Sequence, residues 1–490
     1  MMSRMNRSLL ALLCSIRHVL SDFKSKIILD KYLIILILLT ITGLVLRLWH
    51  IGDVSFWLDE TLTNDYSHLS FLEIWSTGTD GVNPPTFYWI EHIMLYFGSG
   101  EAVLRLFPAL AGTATIPVFY LLGREFHNRE TGLVAAALLT ISSFHIYYSQ
   151  EARPYTLFLF FFSLALVFYL RACRTNSCSA WILFGVFSAL SCWAHLFGIV
   201  FVVPLFLLPL LVPFISVKTG IRDLKPVILA GATWFLLSLP MLLAMVWAGL
   251  ENADAAGTWG YQGIAVITST CKEAFGQYYM GVIIMGILFL MGLVWILHND
   301  WKRFMFIVVA LVIPLGITVV LSSRMAIVPR YLIGLLPFFF LGIAYLIGSL
   351  HYRIFTVRFS CIAILLLILL SIPSLNLYYS ADSKYGQDWK DLSPVLHNLT
   401  GTGDRILIYP AYHTLPLTYY YQNGTDQTVV YGVKNKEDLQ EPVEQNTGQK
   451  KMLIIVGSDK RDLSGYIDTW IKTHAVLVTR QEQLFLYRVL

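Results

Sequence analysis

Eleven apolar stretches, each about the length of a bilayer crossing, divide the first 380 residues of this 490-residue chain. A membrane-spanning helix needs about 20 mostly apolar residues, and all its backbone polar groups must be satisfied within the segment. The stretches run over 31–49, 102–122, 131–149, 154–171, 180–196, 198–216, 226–248, 278–297, 304–321, 331–350 and 359–379. Only 13% of residues are Asp, Glu, Lys or Arg, about half the share of a soluble domain. A soluble fold is excluded, and the chain reads as an all-α polytopic membrane protein. The net charge of +4 is small, and no nucleic-acid partner is expected. The six cysteines show no metal-binding spacing, so unpaired thiols in apolar helices are expected.

The direction of threading follows from the basic residues. With the N-terminal segment 1–30 in the cytoplasm and eleven crossings, seventeen Lys and Arg fall on the cytoplasmic side and four in the short external loops. That asymmetry is the positive-inside pattern. A further apolar segment, 84–98, is short, begins with Pro84-Pro85 and carries Glu91 and His92. Counting it as a crossing would invert every later loop, so it is expected to lie along the membrane surface. The outer side then receives a long first loop, 50–101, free of Lys and Arg. It also receives the turn around Gln150–Tyr155, the loop 249–277, the turn 323–331 and everything after span eleven. The expected location is the cell membrane, multi-pass, with 31–380 as the membrane module.

Composition turns polar near residue 380. Segment 381–490 alternates helix and strand signals: a helix at 388–399, strands at 405–409, 428–433 and 452–456, a helix at 465–473, and a closing hairpin from 474–480 and 483–489. This predicts a small extracytoplasmic α/β domain.

Two kinds of residue stand out on the predicted outer face. Asp59 and Glu60 form an acidic pair just beyond the first span, in Phe56-Trp57-Leu58-Asp59-Glu60. Arg153, Arg324 and Arg330 break the positive-inside pattern at span ends. Arginine forks suit phosphate, and they stabilise charge growing on a phosphate leaving group. Carboxylates can take a proton from an acceptor hydroxyl or hold a cation. The chemistry that fits both is group transfer from a phosphate-bearing lipid. Taken singly, each residue also fits a plain interfacial role: solvated acids, or arginines snorkelling to phospholipid.

Five stretches in order resemble the GT-C membrane glycosyltransferases, in particular the branch of protein O-mannosyltransferases and aminoarabinose transferases. They are Phe56–Glu60, Asn83-Pro84-Pro85-Thr86-Phe87-Tyr88 followed by Arg105-Leu106-Phe107-Pro108, Phe144–Tyr155, Ala194-His195-Leu196-Phe197-Gly198, and Pro329-Arg330-Tyr331-Leu332. The resemblance implies a GT-C fold and a sugar transferred on the outer face from a polyprenyl-phosphate carrier to a glycan, lipid or protein acceptor. It implies Asp59 as the catalytic carboxylate, with Glu60 assisting. Arg330 and Arg153, with Arg324, would contact the donor phosphate. Glu151, His195, Tyr155 and Asn83 would line the cavity. No cofactor is implied with certainty; a divalent metal, if one binds, would take Asp59 and Glu151. Asn83 stands where relatives often carry His or Lys. The competing reading is a polytopic lipid or sugar transporter without transferase chemistry, which favours inverted repeats and broken helices.

Overall fold

The computed structural model describes residues 30–76, 83–211, 225–251, 260–276, 278–350, 353–354, 357–380, 387–421, 428–444, 450–457 and 465–490. The expected cytoplasmic segment lies outside the described residues except for Asp30. Among the described residues, eight helices are long and apolar enough to span a bilayer. A bent pair makes a ninth, and two shorter apolar helices, Cys178–Ala194 and Gly198–Pro209, occupy the two remaining expected spans, 180–196 and 198–216. The helix Pro329–Ser349 is the hub of the bundle: 94% of its apolar window is buried, against 17% for Lys31–Leu48.

The part of the bundle that positions the site begins with α1 (Lys31–Leu48). The first loop then folds into α2 (Leu58–Ser67) and a short helix, Phe71–Ser76. Next comes α3 (Thr86–Met94), which continues as a turn of 3₁₀ helix over Leu95–Phe97. At about 1.5 Å per residue these twelve residues reach roughly 18 Å, too short for a hydrocarbon core of about 30 Å. Ile93, Tyr96 and Phe97 are exposed on this segment, as are Phe71 and Leu72 before it. That surface suits a helix lying in a membrane interface.

The second and third spans are α4 (Leu106–Phe126) and the bent pair α5 (Arg129–Ile141) and α6 (Ser143–Ser149), which turn 60° against each other. Ser142 makes the turn. Its backbone is extended, and its hydroxyl accepts from the His145 N–H (3.3 Å), capping α6. A break inside a span leaves carbonyls without intrahelical donors. Arg47, buried near the end of α1, supplies them: it donates to Leu139 O (3.0 Å) and Thr140 O (3.5 Å) of α5 and to His145 Nδ1 (2.7 Å). Gln150 returns the favour, donating from Nε2 to Arg47 O (3.0 Å) and Trp49 O (2.5 Å) at the end of α1. An unpaired arginine at hydrocarbon depth costs about 2.5–3.5 kcal/mol on insertion scales; these exchanged caps offset that cost and lock the turn before Glu151. Gly112 of α4 is needed here, because a Cβ would come within 2.3 Å of Ser149 Oγ and 3.3 Å of Arg47 Nε.

The C-terminal domain is a three-layer α/β/α unit. β1 (Arg405–Tyr409), β2 (Val429–Gly432), β3 (Met452–Gly457), β4 (Ala475–Gln481) and β5 (Leu484–Val489) form one sheet in the order β2-β1-β3-β5-β4. β2, β1 and β3 run parallel, and β5 and β4 form the antiparallel edge. Alternation along the strands feeds two cores. Ile406, Ile408, Leu453 and Ile455 face Trp389, Leu392 and Leu417. Leu407, Tyr409, Ile454 and Val456 face Leu439, Ile467 and Trp470. The expected elements are present within one or two residues. Two helices, Thr414–Tyr421 and Lys436–Glu444, were not anticipated; Pro416 and Pro442 interrupt their patterns.

This domain docks on the first loop. The Tyr420 hydroxyl accepts from the Phe56 N–H (2.6 Å) and donates to Glu101 (2.6 Å). Lys390 reaches Gly52 O (2.7 Å) and Glu101 (2.9 Å). Ser55 Oγ donates to Gln387 O (2.9 Å).

Candidate active site at the first-loop mouth

The turn leading into α2 has no regular structure of its own, and Arg105, just ahead of α4, shapes it. Its Nε donates to Glu60 Oε1 (2.7 Å) and its Nη2 to Glu60 Oε2 (2.7 Å) and Ser55 O (3.1 Å). Its Nη1 donates to Ile51 O (3.1 Å) and Val54 O (2.8 Å). Every guanidinium N–H is thus used, which is the fork geometry that lysine lacks. The Phe56 ring packs 5.2 Å from the guanidinium carbon. Glu60 Oε1 also accepts the Ala152 N–H (2.9 Å), tying in the turn after α6. Glu60, which the resemblance places as an assistant to Asp59, is fully buried with both oxygens bound to Arg105, and so anchors the loop.

Asp59 lies one residue away on α2, about 100° around the helix, and points into a different environment. Its side chain is 18% exposed. Oδ2 lies 3.2 Å from Arg330 Nη2 and 3.9 Å from Arg153 Nη2. Arg153 Nη1 also reaches Asp59 O (3.3 Å), Thr63 Oγ1 (3.4 Å) and Tyr88 OH (3.4 Å). Arg330 sits over the Trp57 ring at 5.1 Å, while Trp57 Nε1 donates to Glu151 Oε1 (2.8 Å). Arg330 is fixed by its own segment: Pro329 opens a 3₁₀ turn, Pro329–Leu335, in which every residue is buried. Residues 59, 153 and 330, far apart in sequence, therefore meet at one end of the bundle.

The remaining candidates divide. His195 ends the helix Cys178–Ala194 and is buried. Its Nδ1 accepts the Phe197 N–H (3.2 Å), so the neutral ring carries its proton on Nε2. The ring lies against Tyr155 (5.5 Å) and Tyr331 (5.4 Å). Tyr155 is buried, and among the described residues its hydroxyl has no hydrogen-bond partner. It lies within electrostatic reach of Arg330, Arg153 and Asp59, as a wall of the same site. Asn83 is buried just before Pro84-Pro85, which start α3. Arg324 differs: it is exposed in the turn after the helix Trp301–Leu321, and the ion pairs of Asp59 are to Arg330 and Arg153.

Two acids that the sequence does not mark as site residues stand out in the structure. Glu91 on α3 is fully buried, and among the described residues neither carboxyl oxygen has a hydrogen-bond partner. Burial, and then the nearby charge of Glu60, push its carboxyl well above the usual range. Glu273 lies near the end of α7 (Ile264–Ala274), which packs on the 3₁₀ turn of Arg330 and on α6. Burial pushes its carboxyl up to about 7, while Arg330, a hydrogen bond from Tyr148 and Lys272 pull the other way. Phe87 and Tyr88, one helical turn before Glu91, put it on the aromatic face of α3, which is the signal for its burial; nothing in 249–277 marks Glu273. Among the described residues no three His, Cys, Asp or Glu side chains gather in a metal-binding group. Asp59 and Glu151, the acids reserved for a metal, turn to Arg330 and Trp57.

The chain is similar to known proteins in sequence over part of its length and in overall fold. A sequence profile of the family described as dolichyl-phosphate-mannose-protein mannosyltransferase matches residues 82–247. The STT3B subunit of the Arabidopsis thaliana dolichyl-diphosphooligosaccharide–protein glycosyltransferase is 29% identical over 186 residues. That match takes in 37% of this chain and 24% of the relative, so the chain spans about a quarter of its length. ArnT from Cupriavidus metallidurans in the apo state is similar in structure, with a TM-score of 0.60 at 13% identity over 92% of this chain and 97% of that one. Its form bound to undecaprenyl phosphate gives 0.56 at 14% identity, with the same coverage. The Archaeoglobus fulgidus oligosaccharyltransferase tethered with an acceptor peptide gives 0.55 at 12%, covering 93% of this chain and 74% of that one. The chain has the GT-C fold.

The sequence match and the GT-C fold capture different parts of the site. The matched stretch holds Asn83, Arg105, Glu151, Arg153, Tyr155 and His195. Asp59, Glu273 and Arg330 lie outside it, and it is the GT-C bundle that folds them onto the same end.

Proposed function

We propose that this protein is an integral-membrane glycosyltransferase that moves a sugar from a polyprenyl-phosphate donor to an acceptor on the outer face of the membrane. The observation that carries the reading is Asp59 standing between two guanidinium groups, 3.2 Å from Arg330 and 3.9 Å from Arg153. Such a cluster presents a base and a phosphate cradle side by side. A similar GT-C structure, that of ArnT, was solved bound to undecaprenyl phosphate, which supports a lipid-phosphate donor.

The chemistry is a single inverting displacement. The acceptor hydroxyl oxygen forms a bond to the anomeric carbon as the bond from that carbon to the phosphate oxygen breaks. The electron pair goes to the phosphate, and the hydroxyl proton goes to Asp59. No covalent sugar intermediate is needed. Arg330 holds one carboxylate in the resting structure. A docking phosphate competes for it, releasing Asp59 to face the acceptor, and the guanidinium then balances the charge that grows on the leaving group. Burial of Arg330 and Arg153 strengthens that effect relative to water.

The test is to supply the purified, reconstituted protein with radiolabelled polyprenyl-phosphate sugars and follow release of free polyprenyl phosphate. Protein-dependent cleavage of the sugar–phosphate bond supports the reading. Movement of intact donor across the bilayer without cleavage identifies a transporter and overturns it. Labelling of single cysteines placed beside Asp59 and in the C-terminal domain reports the face; reaction only from the cytoplasmic side refutes the outer-face assignment.

A further inference from the structure

The charge balance at the mouth is incomplete without a proton. Glu60 and Arg105 cancel each other in the buried anchor. That leaves Asp59, Glu151 and Glu273 against Arg153 and Arg330, with Lys272 acting on Glu273 from the exposed side of the same helix. With all three acids ionised the acids inside the mouth outnumber its two arginines, and the exposed lysine, screened by solvent, offsets little of the difference, which opposes an incoming phosphate.

Glu273 is the acid placed to correct this. α7 packs on the Arg330 turn and on α6, with Gly263 N–H donating to Ser322 Oγ (2.9 Å) at one end and Glu273 near the other. The carboxyl group is partly buried, lies within electrostatic reach of Arg330 on the 3₁₀ turn, and accepts a hydrogen bond from the Tyr148 hydroxyl on α6. Lys272, on the same helix, is exposed. The helices Tyr279–Asn299 and Trp301–Leu321 also pack on α7. Their charged residues, His298, Lys302 and Arg303, lie at the opposite ends of those helices, and Arg324 beyond them is exposed.

Resting on the transferase reading, we infer that Glu273 is a further phosphate contact of the site: in its protonated form it donates a hydrogen bond to the donor-lipid phosphate beside Arg330. Arg330 then carries the negative charge of one phosphate oxygen while the Glu273 O–H holds another. When the sugar–phosphate bond breaks, the leaving phosphate keeps the electron pair and this hydrogen bond strengthens. The carboxyl position near 7 fits a group that holds its proton below neutral pH and gives it up above. An arriving anion shifts it further toward the protonated form.

The experiment measures binding of undecaprenyl phosphate to the full chain in nanodiscs between pH 5.5 and 8.5, for wild type, Glu273→Gln, Tyr148→Phe and Arg330→Gln. Lipid phosphate titrates as well, so wild type is compared with Glu273→Gln at each pH. The expected result is that wild-type affinity falls, relative to Glu273→Gln, by about tenfold per pH unit once pH exceeds about 7. Tyr148→Phe should move that loss to higher pH, because it removes a hydrogen bond that favours the ionised acid; a merely structural role would not shift the profile in that sense. Parallel profiles for wild type and Glu273→Gln, with binding still dependent on Arg330, overturn the role of Glu273 and leave the transferase reading intact. Absence of binding at every pH, or binding indifferent to Arg330→Gln, overturns the donor site itself.

Discussion

The floor and the rim of the mouth are built from neighbouring carboxylates with opposite fates. On the floor, Glu60 is fully buried, and Arg105 satisfies both its oxygens at 2.7 Å. On the rim, Asp59 keeps 18% exposure and shares its charge with two arginines at longer range. A closed, fully paired ion pair resists rearrangement; removing one partner strands a buried charge. A looser pair can exchange its partner for a substrate. Adjacent residues on one helix thus differ in environment, because a step of about 100° sends one inward to Arg105 and leaves the other partly exposed beside Arg330 and Arg153.

The widest separation between floor and rim should come from Asp59→Asn. Transfer should drop by about 10²–10⁴-fold, the usual contribution of a general base, while the thermal midpoint in detergent stays close to wild type. A large loss of stability, or near-normal turnover, would erase the distinction. Glu60→Gln should do the reverse. It should cost about 3–5 kcal/mol of folding stability, read from denaturant unfolding, with activity lost in proportion to folded protein. Arg105→Ala should cost more than Glu60→Gln, because it also releases the carbonyls of Ile51, Val54 and Ser55.

Glu91 sharpens the contrast from behind the floor. Folding raises its carboxyl above the ordinary value of 4.5, so the folded state holds a proton that the unfolded chain has lost. Stability should therefore fall as pH rises from the unfolded value toward the folded one, by about 1.4 kcal/mol per pH unit. Glu91→Gln should remove that slope, matching wild type near pH 4 and exceeding it at pH 8 in unfolding measurements. A slope unchanged by the substitution would place the proton elsewhere. The smallest effect is expected at the domain contact: Tyr420→Phe removes the hydroxyl shared by Phe56 N–H and Glu101. It should cost about 1 kcal/mol and speed amide exchange at Phe56. Protection at Phe56 equal to wild type would show that the C-terminal domain does not hold the rim.

Much of this was legible in the residues and some was not. The spans could be read because a bilayer crossing demands a long apolar run, and the break at Ser142 did not disguise one. The strands of the C-terminal domain could be read from unbroken or alternating apolar runs such as Met452–Gly457. Arg324 and Arg330 looked alike as basic residues at a span end. Pro329 starts a buried turn that carries Arg330 inward, and Arg324 stays exposed before it. Glu60 looked like a second catalytic acid because its partner, Arg105, lies 45 positions along the chain. Glu273 carried no motif at all; only the packing of α7 against the Arg330 turn and α6 reveals it.

Composition and apolar length were enough to dictate a helical membrane bundle with a polar α/β appendage, since the bilayer leaves an exposed backbone few alternatives. Which carboxylate is buried and fully paired and which keeps some exposure was settled by side chains meeting across dozens to hundreds of positions. Burial and pairing set the chemistry of an acid, and both are properties of the surroundings rather than of the residue.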